Sequence, residues 1–209
     1  MWPFKKNILC PYCNQQLGRV PKRKIKCPHC AKPIYVRKGK LLTEESAEIL
    51  DWLGYLDRFG ITKRKFEISR DELSNKFKTK ASVHDTVWYI LNKWTADNPF
   101  TSTTHFAYRE MGRLIWQEGK DDKPYIEKAL HSQLMYYKLE GVKQVIVENA
   151  GGRNDDPSTC PQCAKLHGKK FTIDEAIEKM PIPRSCISES GCRCSYELYD
   201  PIKISQEYN

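Results

Sequence analysis

All nine cysteines of this chain lie near its two ends, and none falls between residues 31 and 159. Four form two Cys-x2-Cys units, Cys10/Cys13 and Cys27/Cys30, with thirteen residues between them. The other five are Cys160, Cys163, Cys186, Cys192 and Cys194. A tetrahedral soft cation takes four thiolates, and a Cys-x2-Cys turn offers two of them at once. Complete disulfide pairing would leave one of nine thiols over. No signal-peptide core opens the chain, and no apolar run approaches the ~18 residues of a spanning helix. We therefore expect a soluble, cytoplasmic protein without membrane contact, where zinc explains paired thiols better than disulfides do. The distribution predicts two zinc ions per chain, one at each end of a cysteine-free body that must bury its own core.

The basic charge is concentrated at the first of these ends. The formal net charge is +9, yet residues 1–40 carry eleven Lys and Arg and no acidic residue. The remainder is therefore slightly acidic. Leu17, Val20, Ile25, Ile34, Tyr35 and Val36 alternate well enough for short strands around the knuckles. With Cys10, Cys13, Cys27 and Cys30 as ligands, this segment resembles a zinc ribbon. So small a segment cannot build a core without its metal, so the ion could be only a folding staple. The run Lys22-Arg23-Lys24-Ile25-Lys26, with Arg37 and Lys38, is also a candidate phosphate-contacting surface for DNA. No row of aromatics interleaves with these charges, which argues against base stacking.

Helical periodicity dominates the middle. Thr43 caps a helix carrying Ala47, Ile49, Leu50, Leu53, Leu56 and Phe59, and Gly60 stops it. A short helix is expected over about 70–77, then Ser82-x-x-Asp85 caps one carrying Val83, Val87, Ile90, Leu91 and Trp94. These two helices could form a helix-turn-helix with His84, Asp85, Tyr89, Asn92 and Lys93 as its reading surface, or simply pack as core. Two more helices follow, about 103–118 with Phe106, Met111, Leu114 and Ile115 inward, and 124–140 with Ile126, Leu130, Leu134 and Tyr137 inward. Pro124 suits a first turn. Strands are expected at 142–148, 171–173 and 195–198, with a Gly- and Asp-rich loop at 149–158 and a short helix at 174–180.

The predicted fold class is mainly α with small β zinc-binding modules. A basic ribbon (1–40) precedes an α-helical domain (41–141) and a C-terminal α+β zinc-knuckle domain (142–209).

In the last domain Cys160 and Cys163 form one knuckle, and a second pair comes from Cys186, Cys192 and Cys194. Two thiols one residue apart strain to bind one ion, which favours Cys186 and Cys192 and leaves Cys194 beside the site. His167 is either a further ligand or a hydrogen-bonding group within the turn. The run from Thr159 through Cys160, Cys163, His167, Gly168, Lys169 and Phe171, then acids, prolines and Cys192-Arg193-Cys194, resembles the C-terminal signature of Mu-type phage head-morphogenesis (minor head) proteins. The family's His shortly before Cys-Arg-Cys is replaced here, and Cys186 stands in that region. The resemblance implies phage or prophage origin, virion association, and portal or capsid proteins as partners.

Catalysis is not expected. No His-x-Glu precedes Cys160 as a zinc deaminase requires, since His84, His105 and His131 are followed two residues on by Thr86, Ala107 and Gln133. Four-thiol sites leave no position open for water. The alternatives to a DNA-contacting phage protein are a bacterial zinc-ribbon DNA-binding regulator and a zinc-stabilised protein–protein adaptor.

Overall fold

A computed structural model describes residues 8–149, 160–184, 186–187 and 192–199. The expected loop at 149–158 thus lies outside the described residues save for Asn149. The chain divides into two compact units, residues 1–87 and 88–209.

The first unit begins with a three-stranded antiparallel sheet in the order β1 (Ile25–Lys26), β2 (Pro33–Arg37), β3 (Lys40–Leu42). Lys38 and Gly39 both take positive φ, 49° and 73°, the two-residue turn that matches strand twist between β2 and β3. Helix α1 (Glu44–Leu56) starts where Thr43 Oγ1 accepts from the Ser46 N–H at 3.1 Å. It buries Ala47, Trp52 and Leu56, passes into a 3-10 turn at Asp57–Phe59, and stops at Gly60 with φ 67°. Leu50, expected inward, is exposed, and Trp52 is buried instead.

Helix α2 (Lys63–Phe77) extends well upstream of the expected start near residue 70. Its first turn is Lys63-Arg64-Lys65, cations at the end that the helix dipole makes positive, so the charge pattern hid the start. Thr62 nevertheless caps it, and Phe66 and Leu73 anchor it. Arg70 ties α2 to α1 by pairing with Glu45 and donates to the Ala81 carbonyl at 2.9 Å.

Helix α3 (Val83–Asp97) is capped by Ser82, whose Oγ accepts from Asp85 N–H at 3.0 Å. Val83, Thr86, Val87, Ile90, Leu91 and Thr95 are all buried. Its exposed positions are Asp85, Asn92, Lys93, Ala96 and Asp97, which include a single cation. His84 and Tyr89 of the expected reading surface are half-buried.

In the second unit, α4 (Thr104–Gln117) and α5 (Lys123–Leu139) pack against each other. Gly112 permits their close approach, because a Cβ there would stand 3.3 Å from the Tyr125 Cβ. Phe106, expected inward, is exposed and stacks on His105 at 3.9 Å; Ala107 takes the buried position.

Strand β4 (Gln144–Glu148) is central in an antiparallel sheet, with β5 (Lys170–Thr172) on one side and β6 (Ser195–Leu198) on the other. Helix α6 (Pro161–Ala164) precedes β5, and α7 (Ile173–Lys179) follows it through a Thr172/Glu175 capping box. One core joins Leu130 and Leu134 of α5, Val145 and Val147 of β4, Ile173 and Ala176 of α7, and Tyr196 of β6. The Gln133 side chain completes it. Its amide donates to the Tyr196 carbonyl at 3.0 Å and accepts from the Tyr196 N–H at 3.4 Å, so both backbone groups are satisfied away from water.

Candidate metal centres

The N-terminal thiols are presented by two turns of the same construction. In the first, Cys10 N–H donates to Gln15 O, Asn14 N–H to Cys10 O, and Tyr12 N–H to Cys10 Sγ, at 2.9, 3.0 and 3.4 Å. In the second, Cys27 N–H donates to Lys32 O, Ala31 N–H to Cys27 O, and His29 N–H to Cys27 Sγ, at 2.9, 2.9 and 3.4 Å. The flanking bridges, Leu9 to Gln16 and Lys26 to Pro33, also stand in the same register. Asn14 and Ala31 close the turns with φ of 57° and 60°. The position suits Asn and strains Ala.

This repeat brings all four sulfurs within 4.8 Å of one another, with Cys10–Cys30 at 3.9 Å and Cys13–Cys27 at 3.8 Å. Four thiolates about 2.3 Å from a zinc ion form a tetrahedron with edges of about 3.8 Å. The donor set fits such an ion in number, chemistry and spacing.

The protonation chemistry points the same way. Burial raises the Cys27 thiol, but the N–H groups of Cys30 and His29 together with the Cys10 and Cys30 thiols bring it down to about 6. The Gln15 N–H favours the Cys13 thiolate, yet burial and the surrounding Cys10, Cys30 and Cys27 sulfurs push Cys13 up to about 12. One thiolate is favoured here and the next is opposed by it. A central cation removes that opposition.

The cation set proposed for nucleic acid divides in two. Lys22, Arg23, Lys26 and Lys38 are exposed. Lys24 donates to Tyr35 Oη at 2.8 Å, and Tyr35 donates onward to Glu44 at 2.7 Å. Arg37 makes a two-pronged pair with Asp51 at 2.9 and 2.8 Å. Tyr12 Oη accepts from the Glu44 N–H at 2.7 Å. Lys24 and Arg37 therefore help to fasten the ribbon to α1.

The five C-terminal thiols are arranged differently. Cys160 precedes α6 and Cys163 lies within it, fully buried. The sulfurs fall into two triads, Cys160/Cys163/Cys186 and Cys163/Cys192/Cys194, each with its members within 4.8 Å of one another, and no four of the five meet in this way. Cys163 belongs to both, 3.9 Å from Cys192. Cys192 and Cys194 are buried, whereas Cys160 and Cys186 are half-buried. Burial raises the Cys160 thiol, but the N–H groups of Ile187, Cys163 and Gln162 bring it down to about 7. Cys163 is driven far up by the adjacent Cys192 and Cys194 sulfurs and by burial.

His167 belongs to neither triad: its Nδ1 accepts from the Asn149 N–H at 3.3 Å, and Gly168 beside it takes φ 72°. Arg109 of α4, which no sequence motif singles out, reaches the Cys192 and Cys194 carbonyls at 3.3 and 2.7 Å. Burial makes its guanidinium easier to deprotonate, and the adjacent Cys192 and Cys194 oppose that change. It lies off the buried face of α4, so periodicity marks it as a solvated residue.

A groove of about 640 Å³ in the second unit is lined by Phe100, Tyr108, His131, Met180 and the Arg184–Glu127 ion pair, which closes at 2.7 Å. Among the described residues, no helix is long and apolar enough to cross a membrane.

Comparison with known family models, curated proteins and solved structures gave no match. Among the described residues, fold and sites define a helix-rich protein with two small antiparallel sheets and two cysteine clusters able to hold metal ions.

Proposed function

We propose that this is a non-enzymatic, zinc-stabilised protein that contacts the DNA backbone through its N-terminal ribbon. The observation that carries the reading is the placement of exposed Lys22, Arg23, Lys26 and Lys38 on the module that the four-thiol set organises, in a segment with no acidic residue. A rigid, positively charged surface neutralises phosphates and releases counterions whatever the base sequence. Zinc at both clusters acts as a structural ion. The four-thiol set fills its coordination sphere, and the Arg184–Glu127 pair lining the groove is mutually neutralised.

The cellular setting we propose is a phage or prophage one, in which the DNA is a genome being packaged and the partners are portal or capsid proteins. Its only support is the Cys160–Cys194 signature. The competing regulator asks α3 to read a DNA groove. The burial of six α3 positions and its single exposed cation favour a packing role for that helix.

Fluorescence anisotropy with duplex DNA across a salt series tests the reading. Alanine at Lys22, Arg23 and Lys26 should weaken binding equally on unrelated sequences and flatten the salt slope by about 0.9 for each phosphate no longer neutralised. Sequence-selective binding that survives these changes would favour the regulator. Absence of binding to any duplex would favour the adaptor. Copurification with portal or capsid proteins tests the setting separately.

A further inference from the structure

We propose that the C-terminal cysteines hold two zinc ions bridged by the Cys163 thiolate, so that the full chain binds three. This rests on the reading of the clusters as zinc sites. The geometry carries it in three ways.

First, the five sulfurs form two triangles with a shared corner rather than one tetrahedron. Three thiolates on each ion with one held in common require five, the number present. Second, the shared corner is the fully buried sulfur, and the unshared ones differ in exposure: Cys160 and Cys186 are half-buried, Cys192 and Cys194 buried. A bridging thiolate keeps both ions as neighbours without requiring the distant sulfurs to meet. Third, the charge balances better. Five thiolates with two dications leave one net negative charge, and the Arg109 guanidinium bonded to the Cys192 and Cys194 carbonyls offsets it. A single ion with four thiolates leaves two negative charges and a fifth thiol without a task, at a place where uncompensated charge is costly.

The arrangement places the two thiols of the Cys-x-Cys unit on one ion, as their sulfurs within 4.8 Å of each other and of Cys163 allow. Cys192 and Cys194 join Cys163 on the inner ion, while the outer ion takes Cys160 and Cys186. His167 is a ligand of neither ion in this arrangement: it belongs to neither triad, and its Nδ1 accepts the Asn149 N–H.

Native mass spectrometry of the full chain refolded with excess Zn2+ and then desalted reads the count directly. Three ions are expected. Two would overturn the bridge while leaving one zinc per cluster intact, and none would overturn the zinc reading itself. Cys194→Ser should lower the count from three to two, and Cys163→Ser from three to one; an unchanged count in either variant contradicts the bridge. Should Cys163→Ser fail to fold, X-ray absorption on the unmodified protein decides instead. A zinc–zinc scattering vector is expected, and its absence at a count of three refutes the shared thiolate.

Discussion

The two cysteine clusters solve opposite folding problems. In the N-terminal ribbon the buried apolar set is Cys10, Leu17, Cys27 and Ile34, so half of it consists of candidate ligands. In the C-terminal domain Cys163, Cys192 and Cys194 join a core that already contains Leu130, Leu134, Val145, Val147, Ile173, Met180 and Tyr196. The first cluster stands in place of a core, and the second is attached to one. Metal should therefore be a folding requirement at one end and a local reinforcement at the other.

The largest expected effect is on the ribbon. Cys27→Ser removes a ligand and a core residue together, and should unfold residues 8–42 while leaving the second unit folded, as read from backbone NMR shifts. If the ribbon shifts stay native-like, the metal is not its core. The C-terminal counterpart is Leu134→Ala, which should cost about 2–5 kcal/mol in denaturant unfolding, more than Cys194→Ser does. The reverse order would mean that the thiols, not the apolar side chains, hold that domain.

Gln133→Ala sharpens the contrast further. It strips the Tyr196 N–H of its partner and leaves the carbonyl only the longer 3.4 Å bond from the Tyr137 hydroxyl, with a cost of about 2 kcal/mol. In the first unit, Arg70 first and Lys80 second hold the Glu45 carboxyl below its ordinary value. The stabilisation is complete above the unfolded carboxyl range and is lost as pH falls through the lower folded value. Glu45→Gln should thus cost under about 1 kcal/mol near neutral pH and show a shallower acid loss than the parent. Smallest and opposite in sign, Ala31→Gly should gain about 1 kcal/mol in metal-loaded ribbon stability by relieving a left-handed alanine. Asn14→Gly should gain less.

Much of this contrast was legible in the sequence. Thr43, Ser82 and Pro124 mark helix starts through local chemistry, and the two N-terminal Cys-x2-Cys spacings point to the paired turns. The long α2 was hidden because its cationic first turn opposes the usual charge signal. Phe106 misled because hydrophobicity is a one-way guide to burial, and a lone exposed aromatic is common. The sharing of Cys163 between two triads could not be read from spacing, since it depends on where α6 and β6 bring their ends. Arg109 and Gln133 matter through partners 83 to 85 and 63 residues away in sequence, and no local pattern encodes such pairings.

Hydrogen exchange before and after chelation tests the contrast most directly. Treatment with a strong zinc chelator should abolish protection at the backbone amides of β1, β2 and the two N-terminal knuckles, while amides of β4 and α5 stay protected. Simultaneous loss in both regions, or a protected ribbon in the metal-free chain, would contradict a ribbon whose metal serves as its core.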